Sequence, residues 1–296
     1  MRRIRRLLLL LIFIALPLAT AADIRLVQAD GSPLVLNAPA QRIVTLAPHL
    51  AEGVFAAGAG ERLLATVEYS EYPPAAASLP RIGDAFRLDV ERIVALGPDL
   101  VLAWDSGNPQ QAVAQLSELG LPVWSVEIRA PAEIPDFIDA VGRAAGVAED
   151  AAPVAQDLRR RLRELSGRYR DAAPRRYFYQ VDAKPLFTIN GEHLISRGLA
   201  LCGGVNIFAG EPGLAFQTSH ESVIVADPDA LFAPGLPDAA DPLAAWREWP
   251  GMRAVQNGSL YLLPADEISR ATPRFLDSLE QACKLLHNLR AREADG

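Results

Sequence analysis

The chain has 296 residues, half of them hydrophobic, with 29 Lys or Arg against 36 Asp or Glu, so its formal net charge is −7. An acidic chain of this kind is a poor candidate for binding nucleic acid or an anionic membrane surface. Its length suffices for two domains with separate hydrophobic cores.

Residues 1–22 have the features of a signal peptide. Four arginines lie within residues 2–6, residues 7–18 are almost wholly apolar, and Ala19-Thr20-Ala21 provides small residues at the cleavage positions. The apolar run is shorter than the roughly 20 residues of a membrane-spanning helix. No cysteine follows it, which excludes a lipid anchor there. We therefore expect an exported chain without direct membrane insertion, with a net charge of −11 after losing the four arginines; a retained N-terminal anchor is the alternative.

Short strands and helices alternate in residues 23–146, which we predict to form an N-terminal α/β lobe. Strands are predicted at 42–46, 63–67, 100–103 and 123–126, and helices at 50–59, 89–96 and 109–119. Asp89 is a plausible N-cap, and Gly60 and Gly120 are expected to end helices. Strands that alternate with helices predict a mainly parallel sheet.

Residues 147–174 are predicted to contain a bridging helix. Residues 131–170 are rich in Ala, Arg, Glu and Leu, with interruptions expected near Gly146 and Pro153. Apolar residues recur at helical spacing from 154 to 169, which predicts one long helix from about Pro153 to Arg170. One helix is a stiffer connector than two or three crossing strands, so we expect limited hinge motion.

A C-terminal α/β lobe is predicted for residues 175–296. Its strands are expected at 176–181, 231–233 and 260–262, with 187–190 at or near a strand end, and its helices at 193–202 and 273–292. The predicted fold class is thus α/β, with two Rossmann-like lobes of mainly parallel sheets, one long bridging helix and a ligand cleft between the lobes.

Two segments repeat each other at an offset of 130 residues. The matched positions are Ala85-Phe86, Glu91 and Pro98-Asp99 in the first copy, and Ala215-Phe216, Glu221 and Pro228-Asp229 in the second. This period is too long for a solenoid unit of about 20–50 residues. It is the size of a lobe, which indicates two similar lobes that present equivalent loops to one cleft.

Sequence motifs of catalysis are missing from the chain. It has no Gly-rich phosphate loop, GxSxG, HExxH or CxxC motif, and its 4 His, at 49, 193, 220 and 287, are dispersed. We therefore expect neither an enzyme nor a dedicated metal site. A two-lobed periplasmic hydrolase, or a sensor or chaperone that uses the cleft for protein contacts, is the alternative from another class.

Several segments resemble the periplasmic cobalamin-binding proteins, which belong to the helix-bridged binding proteins of ABC importers. These segments are RIVTLAP at 42–48, Glu52 with FAAG at 55–58, YSEYPP at 69–74, LDVERIVALGPDLVLAW at 88–104, LCGGVNIF at 201–208 and SRATPR at 269–274. The resemblance covers essentially the whole chain after residue 22. It implies a monomeric periplasmic protein that captures cobalamin, a cobalt corrinoid, as its ligand and delivers it to the transmembrane permease of an ABC importer. The wider family also binds haem and siderophores, so haem or an iron–siderophore is the alternative ligand, with Arg87 and Arg270 available to an anionic siderophore.

The resemblance also implies which residues contact the ligand. The matching positions are Tyr69, Phe86, Trp104, Phe187, Phe216, Asp266 and Arg270. Core packing is the alternative for the aromatic residues, above all for Trp104 and Phe187, which follow apolar strands. Phe86 and Phe216 stand where tryptophans occur in the best-known member, and residues 267–269 replace a more aromatic stretch, so the preferred corrinoid stays open. Axial coordination of the ligand's metal by His49 or His220 stays open too.

The resemblance assigns Glu91 and Glu221 to permease docking, through pairs with arginines. The alternative is a helix-terminal role, since a carboxylate is favourable in the first helical turn and Thr218 with Glu221 fits a capping box. The 2 Cys predict one disulfide in an oxidising compartment, with two buried thiols as the alternative. A second-lobe disulfide of the family matches Cys202 and Cys283.

Overall fold

Each of the two α/β lobes contains one large β-sheet, and a 21-residue helix connects the lobes. The computed structural model describes residues 23–294, so the predicted signal peptide lies outside the described residues. The predicted fold class is confirmed, whereas the boundaries 1–22, 23–146, 147–174 and 175–296 remain predictions. No helix within residues 23–294 is long and apolar enough to cross a membrane.

The strands are short and spread over both lobes. They are β1 (Ile24–Val27), β2 (Pro33–Leu36), β3 (Ile43–Thr45), β4 (Leu63–Ala65), β5 (Gly83–Asp84), β6 (Arg87–Leu88), β7 (Leu100–Trp104), β8 (Val123–Val126), β9 (Arg175–Ala183), β10 (Leu186–Ile189), β11 (Gly204–Asn206), β12 (Ala215–Gln217), β13 (Ala230–Gly235) and β14 (Leu260–Pro264).

The helices include two long ones at the lobe junction. They are α1 (Pro48–Ala56), α2 (Pro74–Ala77), α3 (Val90–Leu96), α4 (Gln110–Glu118), α5 (Glu133–Ala145), α6 (Ala148–Arg168), α7 (Leu194–Ala200), α8 (His220–Ala226), α9 (Arg253–Gln256), α10 (Ala265–Ile268) and α11 (Pro273–Ala294).

The sheets of the two lobes differ in strand direction. The first has the order β4-β3-β7-β8 and is parallel throughout. In the second, β9, β11, β13 and β14 are parallel to one another. The strand β10 pairs antiparallel with β9, and β12 pairs antiparallel with β10. The carboxyl ends of parallel strands lie at one edge of a sheet, which is where α/β proteins usually bind ligands.

The repeated Pro-Asp pairs perform the same structural task in both lobes. A carboxylate oxygen of Asp99 accepts the backbone N–H of Arg42 at 2.8 Å, and one of Asp229 accepts that of Arg176 at 2.8 Å. In return, the backbone N–H of each aspartate donates to the carbonyl of the same arginine. Each pair fixes the entry of the neighbouring parallel strand, so the repeat reflects equivalent construction of the two lobes.

The bridging helix α6 starts five residues earlier than predicted and contains Pro153. Gly146 ends α5 in a left-handed conformation with φ +66°, and α6 begins at Ala148. The φ of proline is compatible with a helix, and so near the helix start Pro153 removes one backbone donor without ending the helix. A smaller correction concerns α1, which ends before Gly58 at φ +82° rather than at Gly60.

A disulfide joins the two cysteines within the second lobe, as predicted. Cys202 follows α7 and Cys283 lies in α11, with their Cα atoms 5.5 Å apart and a sequence separation of 81. The bond ties the terminal helix to the edge of the lobe. Closing a loop of this length restricts the unfolded chain and stabilises the fold by about 4 kcal/mol in the chain-entropy account.

We predict that the double variant Cys202→Ala/Cys283→Ala loses about 4 kcal/mol of unfolding free energy, because its unfolded chain is no longer constrained. Urea denaturation of both proteins measures the difference. Dithiothreitol should destabilise the wild type and leave the variant unchanged. Two alkylatable thiols in the non-reduced wild-type protein would contradict the disulfide.

Candidate functional site

The first lobe gathers four predicted or candidate site residues at the carboxyl edge of its sheet. His49 follows β3, Tyr69 follows β4, Trp104 ends β7, and Phe86 lies in the turn between β5 and β6. Tyr69 and Phe86 are 71 % and 70 % exposed, so core packing does not explain either side chain. Trp104 is half-buried.

Trp104 lies against His49 and Gly107. The rings of Trp104 and His49 meet edge to face with centroids 5.3 Å apart. A Cβ at Gly107 would come within 2.0 Å of the indole, so this glycine permits the close approach of the loop after β7. The indole is therefore held by its own loop at the sheet edge.

Asn108 organises this edge, although its position near a predicted strand end was not enough to assign it a role. Its buried side-chain NH2 donates to the carbonyls of Leu46 at 2.8 Å and Ala85 at 2.9 Å, and its side-chain carbonyl accepts the backbone N–H of Trp104 at 2.7 Å. One side chain thus joins the loops that carry His49, Phe86 and Trp104. Local hydrogen bonding by an Asn after a strand was a weak signal that could have suggested such a role.

The second lobe contributes aromatic residues from neighbouring antiparallel strands. Phe187 in β10 and Phe216 in β12 are both half-buried, and Phe216 pairs in register with Thr188. The Phe216 ring packs edge to face on Phe208 with centroids 5.8 Å apart. Phe216 is therefore partly a packing residue, and its contact with the ligand stays a prediction.

Arg270 connects the predicted site residues of the first lobe with those of the second. One of its Nη atoms donates to the Tyr69 carbonyl at 3.1 Å, and the same atom lies 2.7 Å from a carboxylate oxygen of Asp266. Tyr69 belongs to the first lobe, whereas Asp266 and Arg270 follow β14 of the second. The structure thus brings Tyr69, Asp266 and Arg270 together at the lobe junction.

Sequence reasoning missed the main partner of Arg270, which is Glu52 in α1. The Glu52 carboxylate lies 2.9 Å from Arg270 and 2.7 Å from Arg274, and it is almost fully buried. We call Glu52, Asp266, Arg270 and Arg274 the interlobe ion-pair cluster. Glu52 was noted as part of the family resemblance, but no local pattern could reveal partners more than 200 residues away.

His49, at the start of α1 after β3, has a lowered pKa. Burial, followed by the positive charge of Arg270, lowers the pKa of His49 from its ordinary value of 6.5 to about 4. His220, the other histidine considered for metal coordination, packs on the buried Trp246 ring with centroids 4.8 Å apart. Within residues 23–294, no group of three or more His, Cys, Asp or Glu side chains could hold a metal ion.

The two repeated glutamates occupy equivalent exposed positions in the first turns of α3 and α8. The capping-box prediction for Thr218 is wrong: Ser219 is the N-cap and accepts the N–H of Ser222, because α8 starts one residue later than that box requires. The Glu221 backbone N–H and the Ser219 hydroxyl lower the pKa of the Glu221 carboxyl. Glu221 is therefore a charged, solvent-facing group.

Comparison with known proteins identifies the class. Residues 43–267 match the family model described as periplasmic binding protein, and the chain belongs to this family. It is 40% identical over 249 residues to the vitamin B12-binding protein of Vibrio cholerae, across 84% of this chain and 90% of that protein. It is 34% identical over 276 residues to the vitamin B12-binding protein of Yersinia pestis, across 92% and 95%.

Solved structures give the same picture. The crystal structure of the periplasmic vitamin B12 binding protein BtuF of Vibrio cholerae matches with a TM-score of 0.79 and 39% identity, over 85% of this chain and 98% of that one. A periplasmic haem-binding protein of Vibrio cholerae matches with a TM-score of 0.72 and 21% identity, over 83% and 98%. At 21% identity, the match to the haem-binding protein shows a shared fold and nothing more.

We predict that His49 stays neutral at pH 5.5. An unfolded histidine takes up its proton near pH 6.5, whereas folded His49 does so near pH 4. The unfolded state therefore binds more protons between these values, and His49 makes the fold less stable as the pH falls through this window. Imidazole NMR shifts, assigned with His49→Asn, measure the pKa directly. An imidazole that titrates near 6.5 in the folded protein would contradict the burial and charge argument.

Proposed function

We propose that the chain is a periplasmic binding protein that captures cobalamin between its lobes and delivers it to the permease of an ABC importer. The main support is the 40% identity to a vitamin B12-binding protein over 84% of the chain. The proposal involves no chemical step: a monomer captures the ligand, docks and releases it when the permease spreads the lobes. Cobalamin is the cargo rather than a resident cofactor.

The chemistry of the cleft edge supports a large, flat ligand edged with amides. Exposed aromatic side chains offer apolar faces to such a ligand, and Tyr69 and Phe86 present this type of surface in the first lobe. We propose that Trp104, Phe187 and Phe216 complete the apolar contacts.

Polar contacts are proposed for Asp266 and Arg270. The Asp266 carboxylate is about half exposed and can accept hydrogen bonds from ligand amide N–H groups. Arg270 already donates to Glu52 and the Tyr69 carbonyl, and a guanidinium has five N–H donors. Donors remain for a ligand amide carbonyl, although fewer than an unpaired arginine would offer.

If the aromatic side chains contact the ligand, replacing one of them with alanine should lower the affinity for cyanocobalamin. Titration of the chain lacking residues 1–22 with cyanocobalamin should show saturable one-to-one binding, by tryptophan fluorescence and by calorimetry. Phe86→Ala should weaken it by about 10-fold or more, since burying a Phe side chain contributes about 1.5–3 kcal/mol. Leu119→Ala removes an exposed apolar side chain at the end of α4 and is the matched control. Failure of the wild type to bind cyanocobalamin, with haem binding in the same assay, would move the proposal to haem.

Docking is proposed for the tips of the two lobes. Glu91 and Glu221 lie in the first turns of α3 and α8, 130 residues apart in sequence, and both are exposed. Carboxylates on separate lobes can recognise the relative position of the lobes through charge pairs with arginines, which set register and encounter rate.

We predict that Glu91→Arg/Glu221→Arg abolishes uptake by the reconstituted importer and leaves ligand binding intact, because like charges repel at the docking surface. Glu118→Arg/Glu149→Arg makes the same charge change at two other exposed helix positions and should leave uptake near the wild-type rate. Normal uptake by the Glu91→Arg/Glu221→Arg variant would contradict docking and leave helix stabilisation as the role of both glutamates.

A further inference from the structure

A buried carboxylate of one lobe is held by two arginines of the other. Glu52 lies in the middle of α1 and is 3% exposed. One of its oxygens accepts from Arg270 Nη1 at 2.9 Å and from Arg274 Nη2 at 2.7 Å, and the other accepts from Arg274 Nε at 3.0 Å. Arg274 therefore binds the carboxylate through two donors, the geometry that gives strong and directional ion pairs.

The charges of the interlobe ion-pair cluster balance. Two carboxylates, of Glu52 and Asp266, face two guanidiniums, of Arg270 and Arg274. Arg274 also lies in the first turn of α11, where a cation is unfavourable and where α11 has no acidic residue of its own. The Glu52 carboxylate from the other lobe supplies the missing negative charge, so the start of α11 depends on the first lobe.

The same arginines hold the loop that carries Tyr69. Tyr69 has φ +65°, a left-handed conformation that is costly for a residue other than glycine, and its carbonyl accepts from Arg270 at 3.1 Å. The guanidinium carbon of Arg274 lies 3.9 Å from the ring centroid of Tyr72, within the range of a cation–π contact. Glu52 orients both guanidiniums, and they in turn fix this loop from the opposite lobe.

The cluster is a second tie between the lobes, separate from the bridging helix α6. Two bodies joined by one helix can still tilt about its ends. A further contact between α1 and the residues around the start of α11 restricts that tilt, because its hydrogen bonds tolerate little change in distance or angle.

We propose that Glu52 is a positioning residue for ligand capture, which sets the separation of the lobes and orients Arg270 and the Tyr69 loop without contacting the ligand. This inference rests on the proposed function for its ligand, and it adds a residue that determines how well the unliganded cleft is preorganised. A cleft already held at the bound separation loses less entropy on binding and therefore binds more tightly.

The first measurement needs no ligand. Spin labels are attached through Glu118→Cys in the first lobe and Gln256→Cys in the second, both exposed, while the native cysteines stay in their disulfide. Pulsed electron resonance should give a narrow distance distribution for the otherwise wild-type protein. Glu52→Gln should broaden it or shift its mean, because the neutral amide removes the charge that Arg270 and Arg274 share and leaves Asp266 as the one carboxylate of the cluster.

Arg161→Gln is the matched control. Arg161 of α6 is about as buried as Arg274 and pairs with Asp277 at 2.6 Å and Glu280 at 2.9 Å, both in α11. Its ion pairs join α6 to the second lobe and leave the contact between α1 and α11 in place. Its removal should leave the distance distribution unchanged.

The second measurement is affinity for cyanocobalamin. Glu52→Gln is expected to weaken binding by about 10-fold, and Arg274→Gln by a comparable factor, as expected when preorganisation is lost. The double variant should bind no more weakly than Glu52→Gln alone, since the two residues act through one interaction.

The outcomes separate the two proposals. If Glu52→Gln leaves both the distance distribution and the affinity unchanged, the inference is overturned. If Glu52→Gln fails to fold, Arg274→Gln provides the same test from the more exposed side. If the wild type does not bind cyanocobalamin, the proposed function fails, and the distance distributions alone decide whether Glu52 sets the lobe separation.

Discussion

The buried carboxylate of Glu52 is the interaction on which the arrangement of the cleft depends. It pairs with both Arg270 and Arg274 across the lobe junction, and Asp266 supplies the second negative charge of the cluster. An ion pair in such a place gains little net stability over apolar packing, but removing one partner costs about 3–5 kcal/mol because it strands the other charge in a poorly solvated site. The interaction therefore specifies one arrangement of the lobes more than it stabilises the fold.

Close packing in the first lobe holds the α1 backbone that carries this carboxylate. Gly53, the neighbour of Glu52 in α1, lies so close to Phe137 of α5 that a Cβ would come within 2.3 Å of the ring. The α1 helix is thus seated directly on α5, which is followed by α6. A shift of Glu52 would require a shift of the layer that leads into the bridging helix, so the two ties between the lobes are mechanically connected.

A few side-chain hydrogen bonds fix the loops of the first lobe. The amide of Asn108 holds three loop backbones at the carboxyl edge of the sheet, and the Tyr69 carbonyl is held from the second lobe by Arg270. Aromatic side chains can remain exposed at such an edge because the backbone beneath them is already hydrogen-bonded. A preformed surface of this type suits a binding protein that captures a rigid ligand with little conformational change.

The sequence by itself determined the features that depend on neighbouring residues or on repetition. Apolar β-branched runs predicted the strands, the spacing from 154 to 169 predicted the bridging helix, and the 130-residue repeat predicted equivalent lobes. The tertiary structure alone decided which side chains meet: Glu52 with Arg270 and Arg274, Asn108 with three loops, and His49 beside Trp104. The physical reason is distance along the sequence, because backbone preferences and hydrophobic periodicity report only on residues that are close in sequence. Contacts between residues 218 apart, such as that of Glu52 with Arg270, exist only where the tertiary structure packs the two lobes together.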